Sequence, residues 1–526
     1  MMRLPLVGNV LTRRADVDVD QFYKNCYPET VDENNPFVTK RPGLKASLAF
    51  SSGAGRGVYN WNGSLYSVIG NTVRKGSSAL STTLATTTGK VYFSETGGGT
   101  PKLIINDLTN LYIIDASDNL YWLVGGDTTY SAWAMSTASN SGDRVIPTVE
   151  NGFFYNANTT GTSDSSEPTW PTTLGDTVVD NGVTWECAGY YTNLPDNMVS
   201  GVSFMDQYIF VMDSAGAIYN TNVNDPTTIT ASDFITAEDN PDVGVRVHRH
   251  LNYIVGFGQY SIEFFYDAAN ASGSPLSRVS EAVNHIGCVS GDTVASMDNF
   301  TLFLGRDRTG EAKLYGIEGL ATKIVSTKAI DRIINSEGSN LSAAYGYVVK
   351  SSGHVWYVLT LTSIGKTLVY DLIDKVWHSW SSYNGSTETY FTGVGFAEVG
   401  SVGYILDKDN GDIYELDEAT YQDASNTIKV QGTTDIFDGD IIKNKFCTRL
   451  EVVGDRAASA ATLSISWSDD DYATFNTPRN VDLNSRALLT RLGKFRRRAF
   501  RYTFEENLPM RLEAFDIEVL PGEYGQ

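Results

Sequence analysis

A hairpin pattern repeats along most of the chain, and this repeat restricts the possible folds more than any other feature. Each copy has an apolar strand, a turn of Asp, Gly, Ser or Asn, and a second strand that usually ends in an apolar residue and tyrosine. The copies begin at residues 65, 111, 208, 253, 302, 355 and 404. Their period is roughly 45–50 residues, with one gap about twice as long, and a four-stranded propeller blade has this length.

The repeat therefore predicts an all-β chain built on a β-propeller of six or seven blades. Each blade would bury apolar faces against its two neighbours, and a closed ring leaves only short, protected edges. We expect the recurring tyrosines to pack between blades rather than to form a binding stripe. An array of β-sandwiches is the alternative, because it also contains hairpins of about this length.

The doubled gap coincides with a segment rich in Thr, Ser, Asn and Gly at residues 126–198. It predicts a small β-module inserted in a blade loop, where extra residues are well tolerated. Its aromatic residues Trp133, Tyr155, Trp170 and Trp185 are candidates for contacts with a glycan or a partner. The alternative is that these side chains form the core of the module itself.

These changes of pattern divide the chain into five predicted segments. After about residue 435 the blade repeat ends, and alternating strands indicate a β-sandwich-like domain. The segments are an N-terminal arm (1–50), the first part of the propeller (51–125), the inserted module (126–198), the second part of the propeller (199–435) and the C-terminal domain (436–526).

Composition narrows the class of protein further. Hydrophobic residues make up 41% of the 526 residues, which excludes a disordered chain. The net charge of −22 excludes generic binding to nucleic acid by phosphate attraction. The four cysteines, Cys26, Cys187, Cys288 and Cys447, form no C-x-x-C pair, so we expect free thiols in a reducing compartment. The first residues lack the pattern of a signal peptide, so folding in a cytoplasm is expected.

Motifs of enzymes are absent from the sequence or fail in detail. We find no nucleophile elbow, P-loop or zinc-protease helix. His248 and His250 would share one face of a strand, but no third ligand stands nearby in sequence. The segment from Asp407 has glycine at the wrong position for an EF-hand and is better explained as a hairpin turn. We therefore predict no catalytic residues, no metal site and no cofactor.

One stretch contrasts with the acidic background. Its basic residues fall within eleven positions and are Arg491, Lys494, Arg496, Arg497, Arg498 and Arg501. The stretch is a candidate assembly interface with an acidic neighbouring subunit, or a surface that faces DNA. The simpler explanation is a solvated edge strand whose charges discourage aggregation.

Both ends of the chain carry short motifs of one protein family. The first motifs are Asn25-Cys26-Tyr27-Pro28-Glu29 and Lys40-Arg41-Pro42-Gly43-Leu44. The last are Trp467-Ser468-Asp469-Asp470, Arg491-Leu492-Gly493-Lys494-Phe495-Arg496, and Pro509 with Arg511-Leu512. In these motifs the chain resembles the tail hub or nozzle proteins of short-tailed bacteriophages, also called packaged-DNA stabilization proteins.

The resemblance implies a structural subunit of the virion tail that is assembled in the host cytoplasm. It implies a homo-oligomeric ring, expected to contain six copies, below the portal and its adaptor protein. Such a ring would continue the DNA channel, let genomic DNA pass without specific binding, and carry fibres, spikes or a needle. The alternatives are a tail protein that binds or cleaves host polysaccharide, and a secreted propeller lectin.

Overall fold

Short strands separated by tight turns form nearly all of the regular structure. The computed structural model describes residues 2–8, 22–30, 36–50, 53–125, 130–237, 242–439 and 443–522. Seven of its four-stranded units surround one axis, and we number these blades 1 to 7 in chain order. The all-β propeller prediction is thus confirmed, together with the insert and the C-terminal β-domain.

The seven blades share one topology, in which three or four antiparallel strands that are consecutive in sequence run from the axis outward, and blades 5, 6 and 7 carry additional strands. Their strands are Gly55–Trp61, Ser64–Ile69, Thr72–Lys75 and Ser78–Thr83 in blade 1; Tyr92–Glu95, Leu103–Asn106, Leu111–Ile114 and Leu120–Val124 in blade 2; Ser203–Met205, Tyr208–Met212, Ala217–Asn222 and Asp225–Thr236 in blade 3; Gly244–His250, Tyr253–Gly258, Ile262–Asp267 and Leu276–Arg278 in blade 4; Gly287–Cys288, Ala295–Met297, Phe300–Arg306, Lys313–Glu318 and Ala321–Ile324 in blade 5; Tyr345–Ser351, His354–Leu361, Lys366–Asp371, Trp377–Tyr383 and Glu388–Tyr390 in blade 6; and Gly393–Val399, Val402–Asp407, Ile413–Asp417 and Gly43–Leu48, with Gln422–Asp423 and Asn426–Thr427, in blade 7.

The ring is closed by a strand from the start of the chain. Gly43–Leu48 pairs antiparallel with Ile413–Asp417 and supplies the outer strand of blade 7. The first strand of blade 1 then packs against the first strand of blade 7. Closure therefore joins residues that are almost four hundred positions apart, and it leaves no open edge between the first blade and the last.

Polar turn residues explain why the chain reverses where it does. In blade 1, Asn62 and Gly63 both have positive φ, the conformation that a two-residue hairpin turn requires. In blade 2 the carboxylate of Asp115 accepts hydrogen bonds from the backbone N–H of Ser117 (2.9 Å) and Asn119 (3.0 Å). An aspartate holds a turn in the same way in five further blades, at Asp213, Asp267, Asp307, Asp371 and Asp407.

The inserted module continues the sheet of blade 2. Its strand Val183–Tyr191 runs parallel to Leu120–Val124, the outer strand of that blade. The described strands of the module are Ser131–Ala132, Ala138–Ser139, Arg144–Ile146, Phe153–Ala157, Gly161–Thr162, Thr177–Asp180 and Val183–Tyr191. The module and the blade are thus joined by backbone hydrogen bonds and not only by a linker.

The C-terminal region forms two β-sheets over one shared core. The first sheet is built from Met2–Pro5, Cys26–Thr30, Pro36–Lys40, Lys445–Gly454, Leu488–Thr490, Lys494–Phe495 and Arg511–Pro521. The second contains Val430–Thr433, Thr462–Ser468, Arg479–Asp482 and Ala499–Phe504, and Phe22–Lys24 connects it to blade 6. Residues 2–40 therefore contribute strands to this sandwich, and blade 6 and the second sheet form one continuous ten-stranded sheet.

Helical structure is short. The α-helix Lys328–Ser336 begins after Thr327, whose hydroxyl accepts a hydrogen bond from the N–H of Ile330, and two 3-10 turns cover Gly291–Thr293 and Gly338–Ala343. Among the described residues, no helix has the length and apolar character to cross a membrane. All four cysteines are buried and free, as their wide spacing predicted.

Candidate functional sites

The basic stretch lies on the C-terminal sandwich, and only part of it faces solvent. Arg491, Lys494, Arg496 and Arg497 are exposed. Arg497 forms an ion pair with Asp471. The other three exposed residues make no ion pair with another described residue, so their charges are available at the surface. We call Arg491, Lys494 and Arg496 the basic surface.

Arg498 does not belong to that surface, which corrects its assignment as an interface residue. Its side chain is 1% exposed, and its guanidinium donates two hydrogen bonds of 2.7 Å to the carboxylate of Asp469. It also donates to the carbonyl of Leu492 and lies over the rings of Phe495 (4.4 Å) and Trp467 (5.2 Å). The two C-terminal motifs meet at this residue because they build the interior of the domain.

Arg501 is half-buried and stacks on a neighbouring ring. The centre of its guanidinium lies 3.7 Å from the ring centroid of Phe475. Phe475 ends a turn in which the carboxylate of Asp470 accepts hydrogen bonds from the hydroxyl of Ser468 and the backbone N–H of Thr474.

The aromatic side chains of the insert form the core of the insert. Tyr155 and Trp185 are almost fully buried, Trp133 is 7% exposed, and Trp170 is partly buried against them. The indole N–H groups of Trp133 and Trp185 both donate to one carboxylate oxygen of Asp180, at 2.8 and 2.9 Å. The ring of Trp170 stands 4.3 Å from that of Tyr155. Their mutual packing supports the structural alternative over a glycan-binding platform.

The N-terminal motifs meet where the propeller joins the sandwich. Asn25 adopts a left-handed conformation (φ 54°), and its side-chain oxygen accepts from the Nε of Arg41 at 3.0 Å. The buried guanidinium of Arg41 also donates to Asp423 at 2.9 Å. A Cβ on Gly43 would stand 2.5 Å from the carbonyl oxygens of Thr420 and Gln422, so this close approach requires glycine. These motifs therefore serve the junction itself.

One group of side chains has the spacing of metal ligands. His354, Asp371 and Asp374 offer ligand atoms within 4.8 Å of one another. The carboxylate of Asp371, however, already accepts hydrogen bonds from His354 Nδ1 (2.7 Å), Trp356 Nε1 (2.9 Å) and the backbone of the turn. Its oxygens are satisfied without an ion, so the group is explained as a buried brace of the blade 6 hairpin.

These contacts shift the titration of the pair in opposite directions. Burial lowers the pKa of His354, but the hydrogen bond and charge of Asp371, with smaller contributions from Asp374 and Glu29, raise it overall. Burial raises the pKa of Asp371, but His354 and the turn N–H groups bring it below its usual range. Both shifts favour the charged pair.

The two histidines that the sequence singled out do share one face of their strand. That face packs on blade 5, where His248 Nε2 is hydrogen-bonded to the hydroxyl of Ser296 and His250 Nδ1 to that of Thr301 (2.8 Å). The two hydroxyls are 2.7 Å apart and hydrogen-bonded to each other, so they link the two histidine rings. Burial, with the nearby Arg246 and His250, lowers the pKa of His248 to about 3, so its ring is neutral.

The central axis of the propeller contains a cavity that sequence reasoning missed. Its volume is about 680 Å³, and the innermost strand of every blade contributes to its wall. Lys90 of blade 2 crosses the axis and donates hydrogen bonds of 3.1 Å to two carbonyls. One belongs to Asp292, which precedes the strand Ala295–Met297 of blade 5, and the other to Gly346, within the inner strand of blade 6. Burial lowers the pKa of Lys90 to about 8. No local motif could reveal this cavity, because its residues come from seven separate segments.

Comparison with solved structures returns matches of low sequence identity. The computationally designed Ika8 protein matches with a TM-score of 0.35, 9% identity, and coverage of 71% of this chain and 100% of its own. The N-terminal domain of Nup159 matches with a TM-score of 0.35 and 9% identity, and the match covers 75% of this chain and 98% of that domain. The WD40 propeller domain of Doa1 matches with a TM-score of 0.36 and 9% identity, and the match covers 71% of this chain and 96% of that domain. No curated protein sequence matches the chain.

The family comparison is more specific. Residues 2–421 match the family model described as "Bacteriophage P22 Gp10, beta-propeller", which represents a phage-stabilisation family. The match contains the N-terminal motifs, all seven blades and the insert, while the C-terminal motifs lie beyond it. The chain therefore belongs to this family of phage tail β-propeller proteins.

Proposed function

We propose that the protein is a tail hub or nozzle subunit of a short-tailed phage. In this proposal six copies form a ring below the portal and adaptor, continue the DNA channel, and help to retain packaged DNA until ejection. Fibres, spikes or a needle attach to the ring, which is assembled in the host cytoplasm and remains in the virion tail. The observation that carries the proposal is the family match over residues 2–421.

The arrangement of sheets supports a load-bearing role. Blade 2 continues into the insert, and blade 6 continues into the C-terminal sandwich, through unbroken strand pairing. Bending at either junction would break backbone hydrogen bonds between paired strands, and this costs free energy. A subunit of this kind keeps its attached modules at fixed positions, as a tail component that is under pressure requires.

The DNA path in this proposal runs along the subunits and not through their centres. Lys90 and Tyr92 span the axis of the propeller, where Tyr92 contacts Ser200 and Asp292 on other blades. The channel would instead be enclosed by the ring of subunits. With a net charge of −22 on each chain, such a wall repels the phosphate backbone, so the duplex can slide without adhering.

The basic surface is the proposed contact with a neighbouring subunit or with the adaptor. Arg491, Lys494 and Arg496 present three cations on a chain that is otherwise strongly acidic. Such a patch fits an acidic face of another copy by charge complementarity, which promotes association and selects its orientation.

The test is the mass of the assembly in solution. We expect the wild-type protein, alone or with its adaptor, to give a ring by light scattering and native mass spectrometry. The triple variant Arg491→Glu, Lys494→Glu and Arg496→Glu should remain a folded monomer. A matched control reverses Lys323, Lys328 and Lys375, which are exposed on blade 5, the helix and blade 6, and should assemble normally.

Two results would overturn parts of the proposal. A wild-type chain that stays monomeric with every tail partner would contradict the hub function itself. A triple variant that assembles like the wild type would leave the hub function standing and exclude the basic surface as its interface.

A further inference from the structure

The cavity on the propeller axis is crossed at one end by side chains that reach from blade to blade, and we call this end the floor. At its floor, Lys90 reaches across to blades 5 and 6, and Arg246 of blade 4 donates a 2.6 Å hydrogen bond to the carbonyl of Gly291. The guanidinium of Arg246 also lies 4.8 Å from the ring centroid of Tyr92. At the opposite end the charged side chains that line the cavity are exposed to solvent, and we call this end the mouth. A ligand can therefore enter this pocket from one side of the propeller.

The floor carries two cations, and the single anion beside them among the described residues offsets only part of their charge. Neither Lys90 nor Arg246 forms an ion pair within 4 Å in the part of the chain that the structure describes. The Nε of Arg246 is buried and has no hydrogen-bond partner there. Asp292 lies at the same level; its carboxylate accepts a hydrogen bond from Tyr92 and its charge raises the pKa of Lys90, so it offsets one of the two positive charges. A buried cation is costly unless an anion pairs with it, so the floor favours an anionic group.

The mouth has both charge signs and an aromatic wall. Arg249 and Lys350 are exposed there, and Glu95 and Glu398 lie among them. Four rings that are partly buried line the same end; they belong to Tyr59, Phe93, Phe204 and Phe396. The first two stack on one another with centroids 5.5 Å apart. Rings of this kind present flat apolar faces against which another ring can pack.

Size and chemistry together define the class of ligand. A volume of about 680 Å³ suits a small molecule, since ligand pockets span roughly 300–1,000 Å³ and combine apolar walls with a few placed polar groups. We propose that this pocket binds an anionic sugar, a sugar ring that carries a carboxylate or a phosphate, with the anion at Lys90 and Arg246 and the ring against the aromatic wall. His248 is neutral and bonded to Ser296, so it contributes a polar wall and no charge.

Titration calorimetry and ligand-observed NMR on the full chain test this proposal. The probes are glucuronate and glucose 6-phosphate, with glucose and inorganic phosphate as partial ligands. We expect both anionic sugars to bind at least about tenfold more tightly than either partial ligand, because each of these lacks one half of the recognition. The relative affinity of the two anionic sugars distinguishes a carboxylate from a phosphate source.

Variants assign the binding to the pocket. Lys90→Met and Arg246→Gln should each weaken binding at least about tenfold, while the exposed control Lys323→Gln should leave it unchanged. If a floor variant fails to fold, Met297→Trp narrows the mouth without touching the floor and should also reduce binding. Binding that persists in all three pocket variants would overturn the proposal. So would no binding below about 10 mM, or binding of an acidic peptide in place of both sugars.

Discussion

Two adjacent arginines of the basic stretch carry the same charge but differ in burial. Arg498 is buried between Trp467 and Phe495 and paired with Asp469, while Arg497 beside it points outward to Asp471. We expect Arg498→Ala to lower the free energy of unfolding by about 2–3 kcal/mol. Loss of a buried pair costs more than this, but Asp469 is 39% exposed and can be hydrated when its partner is removed.

Chemical denaturation measures this effect, with Arg497→Ala as the matched control. The exposed pair of Arg497 should contribute less than about 1 kcal/mol. If both variants lost equal stability, Arg498 would not have the structural role that its burial indicates.

The pair of His354 and Asp371 should make stability depend on pH. Because the folded pKa of His354 is raised, its contribution is complete below the unfolded pKa of about 6.5 and is lost as pH rises through the folded value. The depressed pKa of Asp371 acts at the acid end, where its contribution is lost as pH falls through the folded value. The stabilisation by His354 should therefore decline above neutral pH.

The variant His354→Gln isolates this term, because it can keep a hydrogen bond to Asp371 but carries no charge. We expect the difference in unfolding free energy between wild type and variant to shrink between pH 6 and about pH 8.5. His248 and His378 have folded pKa values near 3, so both rings stay neutral in the folded protein throughout this pH range. A difference that is constant with pH would contradict a charged pair.

Residue types at these positions were visible in the sequence, but their depth was not. Six basic residues within eleven positions indicated a charged surface. Arg498 is nevertheless interior, because it directly precedes the buried strand Ala499–Phe504 and pairs with Asp469 of the other motif. Similarly, the sequence of the insert did not predict that Trp133 and Trp185 would be buried with both indole N–H groups hydrogen-bonded to Asp180. Contacts between distant segments decide such cases.

At the scale of elements, the insert should be removable without loss of the propeller. Gly125 and Thr192 are close in space, and the N–H of Thr192 donates to the carbonyl of Val124 at 2.9 Å. A short Gly-Ser linker can therefore replace residues 126–191 and leave the four strands of blade 2 intact. We expect a folded protein whose melting temperature changes by no more than about 4 °C, since about 1 kcal/mol corresponds to a shift of this size.

The excised protein also separates the functional alternatives. A hub without its insert should still form rings with its tail partners, whereas a receptor-binding tail protein that uses the insert should lose adsorption to host cells. As a matched control, Asp180→Ala keeps the insert but leaves two buried indole N–H groups unpaired. This variant should destabilise the module by about 1–3 kcal/mol per group. Unfolding of the propeller after excision would contradict the independence of the insert.

The N-terminal arm is the element whose role the sequence described least completely. Its motifs identified the region, but its strands complete three structures at once: the sandwich, the link to blade 6 and the outer edge of blade 7. Strand pairing across nearly the whole chain leaves no periodic signal, because the partner of Leu44 is Leu416. The five segment boundaries drawn from the sequence stay predictions.

The whole molecule explains why the repeat was informative. Each of the seven copies of the sequence pattern falls in a different blade. Six of them begin within two residues of the start of the strand that pairs with the inner strand, while the copy at Leu111 begins the next strand outward. The doubled gap is the insert. The period could not show the blocked axis, since Lys90 precedes the inner strand of its blade and no hairpin pattern contains it.

Charge at this scale leads to a prediction about DNA. A subunit with a net charge of −22 should bind duplex DNA at physiological salt more weakly than about 10⁻⁴ M, the weak end of non-specific binding. Fluorescence anisotropy with a labelled duplex, repeated from low to physiological salt, measures this affinity. The variant with the charges of Arg491, Lys494 and Arg496 reversed distinguishes a DNA-binding surface from a protein-binding surface. If the wild type bound DNA with micromolar affinity and this variant did not, the basic surface would be a DNA contact. If neither protein binds DNA, the three cations are available for an acidic protein neighbour. The absence of binding is also what a channel requires if DNA is to slide through it.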